Sequence, residues 1–162
     1  MRSPLLLLSA PAAVLIGLVT ATFVVQPMTV VSSSMSPTLC EGDKVLVRVW
    51  DPTVSRLSRG DLVAVQVPGS DTPLVKRVAG LPGDTVAIED ALLVVNGQRV
   101  DEPYVDHEAD DALYWGPVVV PADAVVVLGD ARADSIDSRD FGAVPGERLV
   151  GRVVGRMHVG RC

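Results

Sequence analysis

Hydrophobic and polar positions divide the chain into one long apolar segment and a series of short alternating stretches. No charged residue lies between Arg2 and Glu41, and the run from Leu5 to Val25 is broken only by Ser9, Thr20 and Thr22. About 20 helical residues span the hydrocarbon core of a bilayer. The pattern therefore predicts an N-terminal transmembrane anchor, assigned to residues 1–27.

A cleaved signal peptide is the alternative, because Val19-Thr20-Ala21 has the small residues of a cleavage site. The apolar region of a signal peptide usually covers about 7–15 residues, so the length of the segment favours a retained anchor. Arg2 and the terminal amine favour a cytoplasmic N-terminus. Everything after Pro27 would then lie on the outer, extracytoplasmic side of the membrane.

The hydrophobic pattern of residues 28–162 predicts a domain of mainly β structure. No segment after Pro27 has a sustained helical period, and Asn96-Gly97 is a strong hairpin signal. Long loops are expected at 101–116 and 129–146. The prediction is a curved antiparallel sheet or small barrel. The expected strands are Lys44–Trp50, Asp61–Val67, Pro73–Ala79, Thr85–Ile88, Leu92–Val95, Gln98–Val100, Val118–Val120, Ala124–Leu128 and Leu149–Val159.

The net charge and the two cysteines limit which kinds of partner the protein is expected to bind. The formal net charge of −6 argues against nucleic acid, which needs a basic face, and gives no support for a basic patch on anionic lipid. Cys40 and Cys162 lack metal-ligand spacing. An oxidising compartment would allow a disulfide between them, whereas a lone cysteine is commonly a small buried apolar residue.

A serine cluster and a lysine are the candidates for chemistry. Ser32-Ser33-Ser34 follows the apolar segment and offers a nucleophile, although Ser/Pro/Thr clusters are usually loops. Only Lys44 and Lys76 are lysines among the 14 basic residues. Lys76 and Arg77 point to opposite faces of a strand, so one can face the interior while the other stays solvated. Desolvation would lower the pKa of Lys76 and make it a general base for a serine. A solubility lysine at a strand edge is the alternative, and Lys44 is interpreted in that way.

The loop from Gly129 to Gly142 is the third candidate region. Asp134, Asp137 and Asp140 recur every third residue, but the loop lacks calcium-loop spacing and a closing Glu, so no metal is predicted. We expect the carboxylates and Arg139 to hold the loop through ion pairs and Asx turns, leaving Ser135 to hydrogen-bond toward the interior. His107 and His158 have no Ser or Cys nucleophile nearby in sequence, which leaves a Ser-His-Asp triad unsupported.

Three motifs occur together and in order behind the apolar segment. Residues 32–39 (SSSMSPTL) resemble the nucleophile motif of the type I signal peptidases, the membrane-bound Ser-Lys proteases. Residues 76–84 (KRVAGLPGD) resemble their general-base motif, and residues 129–142 resemble their C-terminal loop motif. Gly42-Asp43 also fits, so the resemblance covers most of the chain from the anchor to Val150.

The resemblance implies a role for each matched position. Ser34 would be the nucleophile and Lys76 the general base. Ser32 would join the Ser34 backbone N–H in the oxyanion hole, and Ser135 would orient the lysine amine. Two further residues match structural positions near the site: Asp137 and Arg139. Members of the family need no cofactor and cleave signal peptides from preproteins after small residues.

Two departures and two rival hypotheses accompany this resemblance. Ala131 stands where the family usually has Asn, and Asp140 where an aromatic or another residue is more usual. A dedicated processing protease of the same class (conjugation, pilus or mitochondrial inner-membrane type) would fit the compact domain and Ala131. A membrane-anchored β-domain that binds peptides without cutting is opposed by Ser34 and Lys76. The expected location is the plasma membrane, with a single pass through the lipid bilayer and the catalytic domain on the outer face.

Overall fold

The structure, a computed structural model, describes residues 25–49, 54–105 and 114–159. Nearly all of the predicted anchor therefore lies outside the described residues. Within those three ranges, no helix has the length and apolar character needed to cross a bilayer. Val25, Gln26 and Pro27, which the sequence prediction assigned to the anchor, belong instead to a β-strand.

The described residues are mainly β, as the alternating pattern predicts. The strands are β1 (Val25–Thr29), β2 (Lys44–Arg48), β3 (Leu62–Val65), β4 (Leu74–Gly80), β5 (Thr85–Glu89), β6 (Leu92–Val95), β7 (Gln98–Arg99), β8 (Trp115–Val119), β9 (Ala124–Leu128), β10 (Val144–Pro145) and β11 (Leu149–Met157). The sequence prediction includes neither β1 nor β10, and β8 begins three residues earlier than predicted.

Short helical turns interrupt regions that the sequence presents as loops. Three-residue 3-10 helices cover Val54–Arg56, Arg132–Asp134 and Gly146–Arg148. A four-residue helix, α1, covers Ser138–Phe141 within the predicted 129–146 loop. Four residues make little more than one turn, which is too short to show a helical period in the sequence.

Two antiparallel sheets form the fold. A seven-stranded sheet has the order β1-β2-β11-β3-β4-β9-β10, and a four-stranded sheet has the order β7-β6-β5-β8. The larger sheet curls, which confirms the predicted curved antiparallel architecture. Because β4 lies between β3 and β9, the side chains of β4 are placed in the middle of the protein.

Both faces of the larger sheet are covered. Val63 and Val65 of β3 pack in one cluster with Val125 and Val127 of β9. The intervening Ala64 packs on the opposite side, in a cluster that also contains Met35 and Leu39. This burial of both faces follows from the alternation of side chains along a strand. It also fixes the serine-rich segment to the sheet, since Met35 and Leu39 belong to that segment.

The predicted hairpin is present between β6 and β7. Val95 pairs with Gln98 across the turn, and Asn96 and Gly97 have φ angles of 53° and 75°. Positive φ at both central positions is the requirement of a type I′ turn, which Asn-Gly meets at little cost.

Candidate active site

The structure brings Ser34, Lys76 and Ser135 together from three distant parts of the chain. Lys76 Nζ lies 2.8 Å from Ser34 Oγ and 2.9 Å from Ser135 Oγ. Ser32 Oγ lies 3.2 Å from Ser34 Oγ. Four of the residues that the resemblance singles out therefore form one cluster.

Burial changes the proton affinity of Lys76. Its position in β4, opposite Val63 of β3, leaves the side chain only 1% exposed. Desolvation disfavours the charged amine and lowers the pKa of Lys76 to about 8, although the Asp137 carboxylate acts in the opposite direction. A minor fraction of Lys76 is therefore already neutral near physiological pH, where a lysine of ordinary pKa is almost fully protonated, and a neutral amine can accept a proton.

Packing and turns hold the segment that carries Ser34. Met35 and Leu39 are buried at 1% and 0% exposure. Ser36 N–H donates to the Ser33 carbonyl, and Leu39 N–H donates to the Met35 carbonyl, both at 2.8 Å. Within the described residues, no backbone hydrogen bond uses the Ser34 N–H as donor. The segment thus presents Ser34 on a tight turn with its own N–H available.

The Asp137 carboxylate organises the loop that carries Ser135. Asp137 Oδ2 accepts hydrogen bonds from Ser135 Oγ at 2.8 Å and from Gly129 N–H at 2.9 Å, and Asp137 Oδ1 pairs with Arg139 Nε at 2.8 Å. Asp137 also caps α1, and Asp140 returns a bond to the Asp137 N–H to complete a capping box. Burial alone would raise the pKa of Asp137, but the bonds from Arg139 and Gly129 hold that pKa below its ordinary value.

The same loop docks directly on the serine-rich segment. Ala131 N–H donates to the Ser34 carbonyl at 3.1 Å. This contact uses the backbone, so alanine in place of the usual Asn does not remove it. The departure at residue 131 leaves the link between the two loops intact.

Several charged residues near the site have no role predicted from the sequence. Arg77 makes two hydrogen bonds to Asp130, at 2.8 and 2.6 Å, and its side chain is only 12% exposed. The sequence prediction left one of Lys76 and Arg77 solvated; both are largely buried, because Asp130 pairs with the guanidinium. Arg132 and Glu102 form a second pair at 2.6 Å. Asp130 could be suspected from its place in the C-terminal loop motif, whereas Glu102 gives no local signal.

A cluster of possible metal ligands occurs elsewhere among the described residues. Ligand atoms of Cys40, Asp43 and His158 lie within 4.8 Å of one another. However, Cys40 is disulfide-bonded, so it offers no thiolate, and His158 Nδ1 lies 3.0 Å from Asp43 Oδ2. Cys162, the other cysteine of the sequence, lies outside the described residues, as does His107.

Comparison with known proteins assigns the family. The family model described as "Signal peptidase, peptidase S26" matches residues 4–158. The chain is 36% identical over 152 residues to a signal peptidase I of Leptolyngbya laminosa, covering 89% of this chain and 74% of that protein. It is 39% identical over 140 residues to signal peptidase I S of Bacillus subtilis, covering 79% of this chain and 73% of that protein.

A solved structure agrees with this assignment. The crystal structure of a signal peptidase I from Enterococcus faecalis is 29% identical, has a TM-score of 0.53, and covers 60% of this chain and 96% of that one. The chain therefore belongs to the signal peptidase family, peptidase S26, and is a serine endopeptidase of that family. The resemblance identified from the three motifs is confirmed.

Proposed function

We propose that this protein removes N-terminal signal peptides from exported preproteins with a catalytic dyad formed by Ser34 and Lys76. The contact of 2.8 Å between Lys76 Nζ and Ser34 Oγ carries the proposal. A general base must lie within hydrogen-bond reach of the proton it takes, with a pKa near the working pH. Lys76 meets both requirements.

Ser135 acts as the residue that orients the lysine amine. Its hydroxyl proton is directed to Asp137 Oδ2, so only lone pairs of Ser135 Oγ face Lys76. The neutral amine must then donate an N–H to Ser135. This arrangement leaves the nitrogen lone pair free to turn toward Ser34. Asp137 and Arg139 support this arrangement by fixing Ser135.

The reaction follows from these positions. Lys76 takes the Ser34 hydroxyl proton as Ser34 Oγ attacks the scissile carbonyl. The Ser34 N–H and the Ser32 hydroxyl stabilise the oxyanion, and one such donor is worth about 10²–10³ in rate. Lys76 then gives its proton to the leaving amine, and the acyl-enzyme ester forms. Water, deprotonated by Lys76, hydrolyses that ester and regenerates Ser34.

A cleft beside the dyad suits an extended peptide. Its walls are formed by Thr29 to Ser32, Met35 and Pro73 to Val75, and the space between them, part of which is open to solvent, is about 270 Å³. β9 pairs with β4 only from Arg77 onward. Leu74 and Val75 therefore have β3 on one side and no strand on the other among the described residues. A substrate strand can add there, with small side chains entering the cleft.

The membrane location is part of the proposal and rests on the sequence. The apolar segment before β1 is long enough to cross a bilayer as a helix. The domain would lie on the outer face of the plasma membrane, where the apolar segment of a preprotein ends. The proposed partners are the lipid bilayer and signal peptides that have small residues before the cleaved bond.

Processing of a purified preprotein tests this function. Ser34→Ala and Lys76→Ala should abolish cleavage, whereas Lys44→Ala should cleave like the parent, because Lys44 is exposed. If either dyad variant processes the preprotein at the parental rate, the proposed mechanism is wrong. Broad cleavage of unrelated preproteins would favour a general signal peptidase over a dedicated one.

A further inference from the structure

A buried ion pair lies behind the dyad and has no role in the chemistry described so far. Arg132 Nη2 lies 2.6 Å from Glu102 Oε1, and each side chain is only 1% exposed. Arg132 follows β9 of the larger sheet. Glu102 follows β7 of the smaller sheet, so the pair connects the two sheets.

This pair is poorly suited to be only a stabilising device. Taking two charges out of water often costs more than their attraction returns. Glu102 Oε2 and Arg132 Nη1 are also buried without a hydrogen-bond partner among the described residues. A buried polar atom without a hydrogen-bond partner loses its bonds to water on folding and so lowers stability. The position of the pair therefore matters more than its contribution to the free energy of unfolding.

Gly129 connects the pair to the catalytic hydroxyls. Arg132 Nε donates to the Gly129 carbonyl at 3.0 Å, while the Gly129 N–H donates to Asp137 Oδ2 at 2.9 Å. That oxygen also accepts from Ser135 Oγ, which in turn accepts from Lys76 Nζ. A displacement of the Arg132 guanidinium thus moves the peptide that fixes Asp137 and Ser135.

Tyr104 provides a second connection, to the strand that carries Lys76. Its hydroxyl donates to Glu102 Oε1 at 3.0 Å. Its ring lies 3.7 Å from the Arg77 guanidinium carbon, a cation–π contact. Arg77 pairs with Asp130 of the same loop. Residues 102–104 therefore contact both sides of the dyad, β4 and the loop after β9.

We propose that Glu102 and Arg132, with Tyr104, are positioning residues that hold the 129–135 loop so that Ser135 meets Lys76. This inference rests on the proposed function. It predicts an effect on turnover and not on substrate binding, because none of the three residues lines the cleft. A reacting group displaced by about 1 Å can cost about 10²-fold in rate.

Steady-state kinetics of the full chain test the inference, with a fluorogenic peptide that has alanine at the first and third positions before the scissile bond. Active sites are titrated with a serine-reactive covalent inhibitor, so that kcat refers to folded enzyme. Glu102→Gln should lower kcat about tenfold or more and leave KM within about twofold. If Glu102 acts through Arg132, Glu102→Gln/Arg132→Gln should be no slower than Arg132→Gln alone.

Matched variants separate this inference from a general loss of stability and from the proposed function. Asp61→Asn removes a carboxylate from a partly exposed pair with Arg152, keeps an oxygen that can accept from the Ser58 N–H, and should keep the parental kcat. Parental kcat in Glu102→Gln, or losses that multiply in the double variant, would overturn the positioning role. Parental turnover in Ser34→Ala would instead overturn the proposed function.

If Glu102→Gln does not fold, Tyr104→Phe tests the positioning role in its place. It removes only the hydroxyl bond to Glu102 and keeps the ring over Arg77. We expect kcat to fall severalfold with KM unchanged, whereas an unchanged kcat would refute the role. Tyr104→Leu, which also removes the ring, should lower kcat further.

Discussion

Gly129 lies so close to Ser34 that a β-carbon added to it would stand 2.6 Å from the Ser34 carbonyl oxygen. The Ser135 hydroxyl occupies the same space from the other side. A contact under about 3 Å between carbon and a backbone oxygen cannot be relieved without moving one of the two loops.

Gly129→Ala should therefore reduce kcat by about 10²-fold, because the added methyl group would push Ser34 and Ser135 out of their positions around Lys76. Gly155→Ala is the matched control, since its β-carbon would meet Leu46 at an ordinary distance of 3.4 Å. Active-site-titrated turnover is the measurement. Equal turnover in the two variants would show that the Gly129 contact is dispensable.

The pH dependence of cleavage should report the buried amine. Below a pH of about 8 Lys76 is mostly protonated and cannot accept the Ser34 proton, so kcat/KM should rise with pH through a midpoint near 8. Lys76→Arg should be inactive even at about pH 10, because a guanidinium does not lose its proton there. A flat profile between about pH 6 and 9, or an active Lys76→Arg enzyme, would contradict a lysine base.

The same amine should make stability depend on pH. Burial lowers the pKa of Lys76 from 10.5 to about 8. Between these two values the unfolded chain binds a proton that the folded protein does not, so the free energy of unfolding should rise with pH across that window. The total change is on the order of 3 kcal/mol.

Lys76→Met isolates this contribution. Its stability advantage over the parent should be largest below about pH 8 and should shrink by on the order of 3 kcal/mol toward about pH 10.5. Lost hydrogen bonds to Ser34 and Ser135 lower the advantage equally at every pH. Urea unfolding across this pH range measures the difference in the free energy of unfolding between Lys76→Met and the parent. Lys44→Met, at an exposed site, serves as the control. A pH-independent difference would show that Lys76 is not desolvated.

The disulfide at Cys40 gives a further prediction. Only one other cysteine occurs in the sequence, so peptide mapping without reductant should recover Cys40 linked to Cys162. Cys40→Ser should lower the free energy of unfolding by about 2–5 kcal/mol. A free Cys40 thiol in protein purified without reductant would refute the pairing.

The strands were largely predictable because their signals are local. β2 to β6, β9 and β11 alternate or carry runs of valine, and Asn96-Gly97 requires a turn whatever surrounds it, which also predicts the return strand β7. β1 was missed because Val25 ends the apolar run and Gln26-Pro27 interrupts any alternating pattern, so only pairing with β2 makes these residues a strand. β10 has two residues, one of them Pro145, and depends entirely on its register with β9.

The residues of the site also fall into two groups: those that the sequence could identify and those that it could not. The sequence could identify Ser34, Lys76 and Ser135 as candidate site residues, because each lies in a motif of the signal peptidase family. The structure brings all three into contact. Glu102 and Arg132 could not, since 30 positions separate them and their pairing depends on how the two sheets pack. The near-complete burial of Arg77 likewise depends on Asp130, 53 positions away.

The pairing of β1 with β2 holds the chain that leads from the predicted anchor to Ser34 in a fixed path along the sheet. The chain approaches Ser34 as a paired strand from Val25 to Thr29, which overlaps the end of the predicted anchor, followed by Val30, whose N–H donates to the Asp43 carbonyl at 2.8 Å. A strand advances about 3.3 Å per residue, so if the preceding segment crosses a bilayer as proposed, the sheet would set a fixed distance between Ser34 and the bilayer surface. An inserted residue within β1 would not simply lengthen the chain that leads to Ser34. It would turn the following side chains to the opposite face of the sheet and rotate the serine-rich segment away from Lys76.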